Sequence, residues 1–222
     1  MERVHLVDNP GAEDPTWEEL VAFLLADGTD RREYVSGSFV CADFAEELHN
    51  NAEAAGLRAA YVAVAFHDES PGHALNAFCT VDRGLVFVDC THSSDFDASP
   101  GESRELYGIP TGWDKVAYVD IGRVYGLVSL EEAVCPAYEC YEDHKALADS
   151  FVRELEEYNA EVDAYNDWVG GQVFIEGSDE HRQATEWQAH LESRAEELDA
   201  LGDSLGAFWQ PMGTVMEIDI YW

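Results

Sequence analysis

GSFVCADFAEELHNNAEAAGLRAAYVAVAF occupies residues 37–66 of the 222-residue chain. Phe44, Leu48 and Ala52 recur at four-residue steps, so residues 40–55 are expected to form a helix with one apolar face, and Gly56 supplies the break that ends it. Cys41 then lies in the first turn. Backbone N–H groups without helical partners and the positive end of the helix dipole favour a thiolate over a thiol there. The run from Arg58 to Phe66 reads as a strand.

Two further strands are expected, His73 to Val81 and Leu85 to Cys90, separated from their neighbours by HDESPG (67–72) and by a turn at Asp82-Arg83-Gly84. His73 and Asp89 share one parity, which puts them on one face of the sheet as near neighbours, and the Cys41 helix is expected to cover that face. A cysteine at a helix head, a histidine on a later strand and an aspartate on the next are the parts of a nucleophile, its base and the base's orienter. Taken singly, Cys41 also reads as a packing cysteine, His73 as a satisfied histidine and Asp89 as a turn former; their order carries the catalytic reading. Cys90 alternates to the opposite face and reads as core. His67 competes for the base role, but the Gly72-His73-Ala74-Leu75 context, at the mouth of a buried strand, favours His73. Asp43 and Asn76 sit beside the triad and receive no catalytic assignment.

Three blocks, CADFAEELHNNAEAAGLRAAYV (41–62), GHALNAF (72–78) and LVFVDCT (85–91), resemble the transglutaminase-like branch of the papain-like thiol enzymes. In that family a cysteine helix ending in an A-G-[IL]-x-A motif leads to a strand, a histidine-bearing strand follows, and an aspartate closes in a D-x-T context. The resemblance covers roughly residues 14–91. It implies Cys41 as nucleophile, His73 as general base and then acid, and Asp89 as orienter. The Cys41 backbone N–H faces the charge that develops in a tetrahedral intermediate. The family often adds an upstream side-chain donor, for which Tyr34 is the nearest candidate; Tyr34 as a packing aromatic is the equal alternative.

The rest of the chain supplies flanking elements. DPTWEELVAFLLADGTD (14–30) reads as a short helix capped by Thr16, with Glu18 and Glu19 in its first turn and an apolar face of Trp17, Leu20, Val21, Leu24 and Leu25. After a loop-rich stretch near SSDFDASPGES (93–103), the runs Lys115 to Leu127 and Thr214 to Trp222 are expected as strands of one sheet. Between them, Glu142 to Val169 and about Ser178 to Leu205 carry helical stripes, the first through Leu147, Phe151, Leu155, Tyr158, Val162, Tyr165 and Val169, the second through Ala184, Trp187, Leu191, Leu198 and Leu205. GGQVFIEG (170–177) joins them as an antiparallel hairpin. The fold expected is α+β: a papain-like or transglutaminase-like core, with the cysteine helix packed on an antiparallel sheet, and an inserted long helical hairpin. The divisions are 1–141 for the core, 142–206 for the hairpin and 207–222 for a terminal strand returning to the core.

Asp and Glu number 46 against 12 Lys and Arg, a formal charge of -34. Such a field repels phosphate backbones and anionic headgroups, so nucleic acid and membrane surfaces are poor partners. Lys115 and Lys145 are the only lysines. The balance resembles that of proteins adapted to concentrated salt, where screening removes self-repulsion; an acidic protein of a GC-rich genome shows the same balance. No apolar run has spanning length, and VHLVDNPGAEDP follows Met1-Glu2-Arg3 without a signal-type core, which leaves a cytoplasmic protein or one secreted after removal of a leader.

Five cysteines, Cys41, Cys79, Cys90, Cys135 and Cys140, leave at least one thiol free. Cys135, Cys140 and His144 give C-x4-C-x3-H, but no fourth ligand is visible, so a local disulfide or two inert thiols is expected rather than a metal, and no cofactor is called for. The chemistry expected is that of a cysteine protease or amidase: cleavage or acyl transfer at amide bonds of a protein or peptide through an acyl-thioester. Water as acceptor gives hydrolysis; an amine gives cross-linking. The reading from a different class is a non-catalytic scaffold that uses the hairpin to contact a partner or to form a homo-oligomer.

Overall fold

The computed structural model describes residues 4–67, 72–91, 114–205 and 212–222, together with the backbone of residues 208–209. The expected loop SSDFDASPGES and most of HDESPG lie outside the described residues. The protein is α+β, with four α-helices, a short 3-10 turn and one seven-stranded antiparallel sheet among the described residues. Residues 1–143 with 206–222 form one compact unit and His144–Leu205 a second.

The first helix, α1 (Trp17–Ala26), starts where the sequence places its cap: Thr16 accepts from the Glu19 N–H, and Glu19 accepts from the Thr16 N–H at 2.8 Å. Leu20 and Leu24 are buried, whereas Leu25, counted on the same face, is 52% exposed. A 3-10 turn (Thr29–Arg31) follows, then α2 (Cys41–Ala55), closed by Gly56. The strands are β1 (Ala60–Phe66), β2 (His73–Thr80), β3 (Gly84–Asp89), β4 (Lys115–Tyr118), β5 (Gly126–Ser129), β6 (Phe208–Trp209) and β7 (Val215–Tyr221), in the spatial order β6-β5-β4-β3-β2-β1-β7.

Residues 115–127 were expected as one strand and form two. Gly122 is the reason: at φ 83° it takes a conformation costly for other residues, and the Arg123 N–H donates to the Asp120 carbonyl at 3.0 Å across the turn. The returning chain likewise supplies both β6 and β7, at opposite edges of the sheet. The sheet curls, because Thr214 bridges to Val124 and the Tyr125 N–H donates to the Gly213 carbonyl at 2.8 Å.

Curling gives the sheet two apolar faces. On one, Phe44, Leu48 and Ala52 of α2 and Leu20 and Leu24 of α1 pack with Phe78, Val86, Val88, Val116, Tyr118 and Val128. On the other, Val62, Val64, Leu75, Ala77, Ala117, Tyr125 and Leu127 pack together. Asn76 rivets α2 to the sheet: its Nδ2 donates to the Ala45 carbonyl at 2.8 Å and to the Ala60 carbonyl at 3.3 Å. Residues 5–9 strap the outer side of α2 through backbone N–H groups of His5, Val7 and Asn9 bonded to Glu46, Asn50 and Glu53.

The second unit contains most of α3 (Tyr138–Val169) and all of α4 (Asp179–Leu205), an antiparallel pair. Glu161 accepts from Trp187 Nε1 at 3.0 Å and from Arg194 at 2.7 Å, while Trp187 packs against Tyr165 and Trp168. Leu147, counted in the apolar stripe, is exposed, and Ala148 is buried in its stead. Cys135 and Cys140 form a disulfide, one of the two states left open by their spacing. No helix among the described residues is long and apolar enough to cross a membrane.

Candidate active site

Cys41 is the first residue of α2. Val40 has no side chain able to cap, so Asp43 does the work from inside the helix, its carboxylate accepting from the Val40 N–H at 2.8 Å. The Asp43 and Phe44 N–H groups return to the Val40 carbonyl. Those of Cys41 and Ala42 point out of the helix end, as the geometry of a first turn requires.

His73 opens β2, and the strand can start there because Gly72 passes close to β1. A Cβ at position 72 would stand 2.9 Å from the Val64 carbonyl oxygen. His73 Nε2 and Asp89 Oδ2 are 2.8 Å apart, with both residues buried. That bond occupies Nε2, so Nδ1 is the nitrogen left for the Cys41 thiol, which interacts electrostatically with the imidazole. The Ala74 backbone N–H, next to His73, also favours negative charge on the sulfur.

Charge follows from this packing. Burial alone would raise the Cys41 pKa, but the hydrogen bond and charge of His73, with the Ala74 N–H, outweigh it and bring the thiol below its ordinary value. Burial also opposes charge on His73, yet the Asp89 carboxylate and the Cys41 sulfur hold its pKa well above the usual histidine range. Asp89 is held well below the carboxylate range: burial would raise it, and His73, Lys115 and the Thr91 N–H reverse that. The other two free thiols move the opposite way, Cys79 and Cys90 both being raised first by burial. Cys41 is the one free cysteine whose surroundings favour the thiolate.

Asp89 is held from three sides. Tyr125 donates its hydroxyl to Oδ2 at 2.9 Å and sets its ring edge against the His73 imidazole, centroids 5.6 Å apart. The Thr91 N–H donates to Oδ1 at 2.9 Å. Buried Lys115 stands directly opposite Asp89 across the β3–β4 ladder, with Nζ donating to the Thr91 carbonyl at 2.7 Å. Sequence reasoning missed both Tyr125 and Lys115. The rarity of lysine was visible, and it was the only signal toward Lys115.

The expected face of the sheet is corrected. His73 and Asp89 do share a side, but it is the side of Leu75, Phe87 and Tyr125, whereas α2 covers the side of Asn76, Phe78 and Val88. Cys41 meets His73 at the end of β2, because the helix terminus reaches past the strand that its body lies on. Cys90 is on the α2 side, where its thiol donates to the Phe44 carbonyl at 3.8 Å. His67 is exposed at the end of β1. Tyr34 packs its ring on Phe44, centroids 6.5 Å apart, three residues along α2 from Cys41. Asn76 and Asp43 serve α2 itself, one as rivet and one as cap.

No protein-family profile, curated protein or solved structure matches the chain.

Proposed function

We propose that the protein is a thiol-dependent peptidase or amidase built on a transglutaminase-like, papain-like core and acting through an acyl-thioester on Cys41. The observation that carries this reading is the 2.8 Å bond from His73 to Asp89, with Cys41 at the head of α2 electrostatically coupled to the same imidazole. The Cys41 thiolate attacks an amide carbonyl, and the developing oxyanion is met by the Cys41 N–H, with Tyr34 as candidate second donor. The C–N bond breaks as imidazolium His73 gives its proton to the leaving amine. Water, or a second amine, then attacks the thioester while His73 takes its proton, and the thiolate leaves with the bonding pair. Asp89 stays ionised throughout and keeps the Nε2 proton in place. On this reading residues 142–206 are an insertion, after which the core resumes.

Intact-mass analysis after incubation with a mixed pool of short peptide amides tests it. An acyl adduct on Cys41, absent from Cys41→Ala and discharged by hydroxylamine with release of the peptide hydroxamate, supports the reading. Neither adduct nor cleavage across a broad pool counts against it.

A further inference from the structure

Among the described residues, no helix fully covers the α2 side of the sheet at β1 and β7, where the side chains facing it are partly buried or exposed. Tyr61, Ala63 and Ala65 point to that side and are only partly buried, while Val62, Val64 and Phe66 between them are buried on the other. Across the β1–β7 ladder, Tyr61 pairs with Tyr221, Ala63 with Asp219 and Ala65 with Glu217, and these three β7 residues are exposed.

One row of this surface leads straight to the nucleophile. Ala74 follows His73 on β2, on the side covered by the helix that Cys41 begins, and its N–H favours charge on the Cys41 sulfur; Ala74 pairs with Ala63, and Ala63 with Asp219. Adjacent strands lie about 4.8 Å apart, so the Asp219 backbone is roughly 10 Å from that of Ala74, with only a methyl group standing between them at Ala63. Tyr61 and Tyr221, ring centroids 6.4 Å apart, wall one side of the row, and the Ala65–Glu217 pair continues the shelf on the other. Asp43 and Glu46 of α2 act electrostatically on Tyr61 together with Cys41, which puts their charges at the same rim. Neither β1 nor β7 contains a lysine or arginine.

Resting on the acyl-thioester reading, we propose that this shelf is the specificity site and that it selects peptides in which a lysine or arginine contributes the carbonyl attacked by Cys41. The extended side chain crosses the Ala63 methyl, its stem lies along the Tyr61 ring, and its cation meets Asp219 and Glu217. An acidic side chain at that position meets two carboxylates.

The test compares rates of Cys41 modification by two chloromethyl ketones, Ala-Ala-Lys and Ala-Ala-Glu, and by neutral iodoacetamide, at one fixed salt concentration. The thiolate displaces chloride from both peptide reagents, which differ only in the final side chain, and iodide from iodoacetamide, which reports the thiol alone. The lysine reagent is expected to react at least about tenfold faster than the glutamate reagent, equivalent to roughly 1.4 kcal/mol. Asp219→Asn combined with Glu217→Gln reduces that ratio severalfold and leaves the iodoacetamide rate unchanged. Asp199→Asn, which removes an exposed charge from α4, leaves the ratio alone. Equal ratios in the shelf and α4 variants, or no preference while iodoacetamide still labels Cys41, overturn the shelf and spare the nucleophile. Failure of all three reagents overturns both.

Discussion

Tyr125 donates its hydroxyl to Asp89 at 2.9 Å, on the same carboxylate oxygen that meets His73 Nε2 at 2.8 Å. Two groups on one oxygen restrict the carboxylate to one orientation, and the imidazole inherits that restriction. Tyr125→Phe keeps the ring contact and removes the bond. A hydrogen bond to a charged group is worth about 1.5–3 kcal/mol, so turnover is expected to fall about ten- to a hundredfold. Asp89, with one donor fewer, becomes easier to protonate, so the acid limb of the pH–rate profile moves to higher pH. A slower enzyme with an unmoved limb argues that Tyr125 only packs.

Asn76 joins α2 to β1 through carbonyls of Ala45 and Ala60. Asn76→Ala removes both bonds and is expected to cost about 1–3 kcal/mol, read from the midpoint and slope of denaturant unfolding. An unchanged midpoint contradicts the rivet role.

The buried pair also fixes how stability depends on pH. His73 has a raised folded-state pKa, so its contribution is complete below its ordinary value of 6.5 and is lost as pH climbs toward about 10. Asp89 has a depressed one, so its contribution is complete above 3.8 and is lost as pH falls below that. The difference in unfolding midpoint between the intact protein and His73→Gln is therefore expected to be largest between about pH 4 and 6.5. It should shrink as pH rises to 10. A difference that stays constant across that range contradicts the ion pair.

Thiol titration under denaturing conditions checks the cysteine assignments. Three thiols are expected to react without reductant and five after reduction, because Cys135 and Cys140 are bridged. Five before reduction contradicts the bridge.

The grouping of Cys41, His73 and Asp89 was legible because each sits where local rules are strong. Cys41 follows from a helix start set by Phe44, Leu48 and Ala52, and the shared side of His73 and Asp89 follows from strand alternation. Which side α2 covers was not legible, since parity names two faces without saying which one meets Phe44 and Leu48; contact with Phe78 and Val88 decides it. Tyr125 lies 36 residues beyond Asp89 and reaches it only because the sheet curls at Thr214 and Val124. The split of residues 115–127 at Gly122 was signalled by the glycine itself, between Ile121 and Arg123. Leu147 shows the limit of a stripe count: one residue's shift in helical phase exposes it and buries Ala148.

A thiolate–imidazolium pair of Cys41 and His73 is read out by the rate of Cys41 alkylation by iodoacetamide as a function of pH. The intact protein is expected to be labelled rapidly well below the ordinary thiol pKa of about 8.5, whereas His73→Ala loses this low-pH reactivity and titrates as a common thiol. Titration near 8.5 in the intact protein, indistinguishable from His73→Ala, would contradict it.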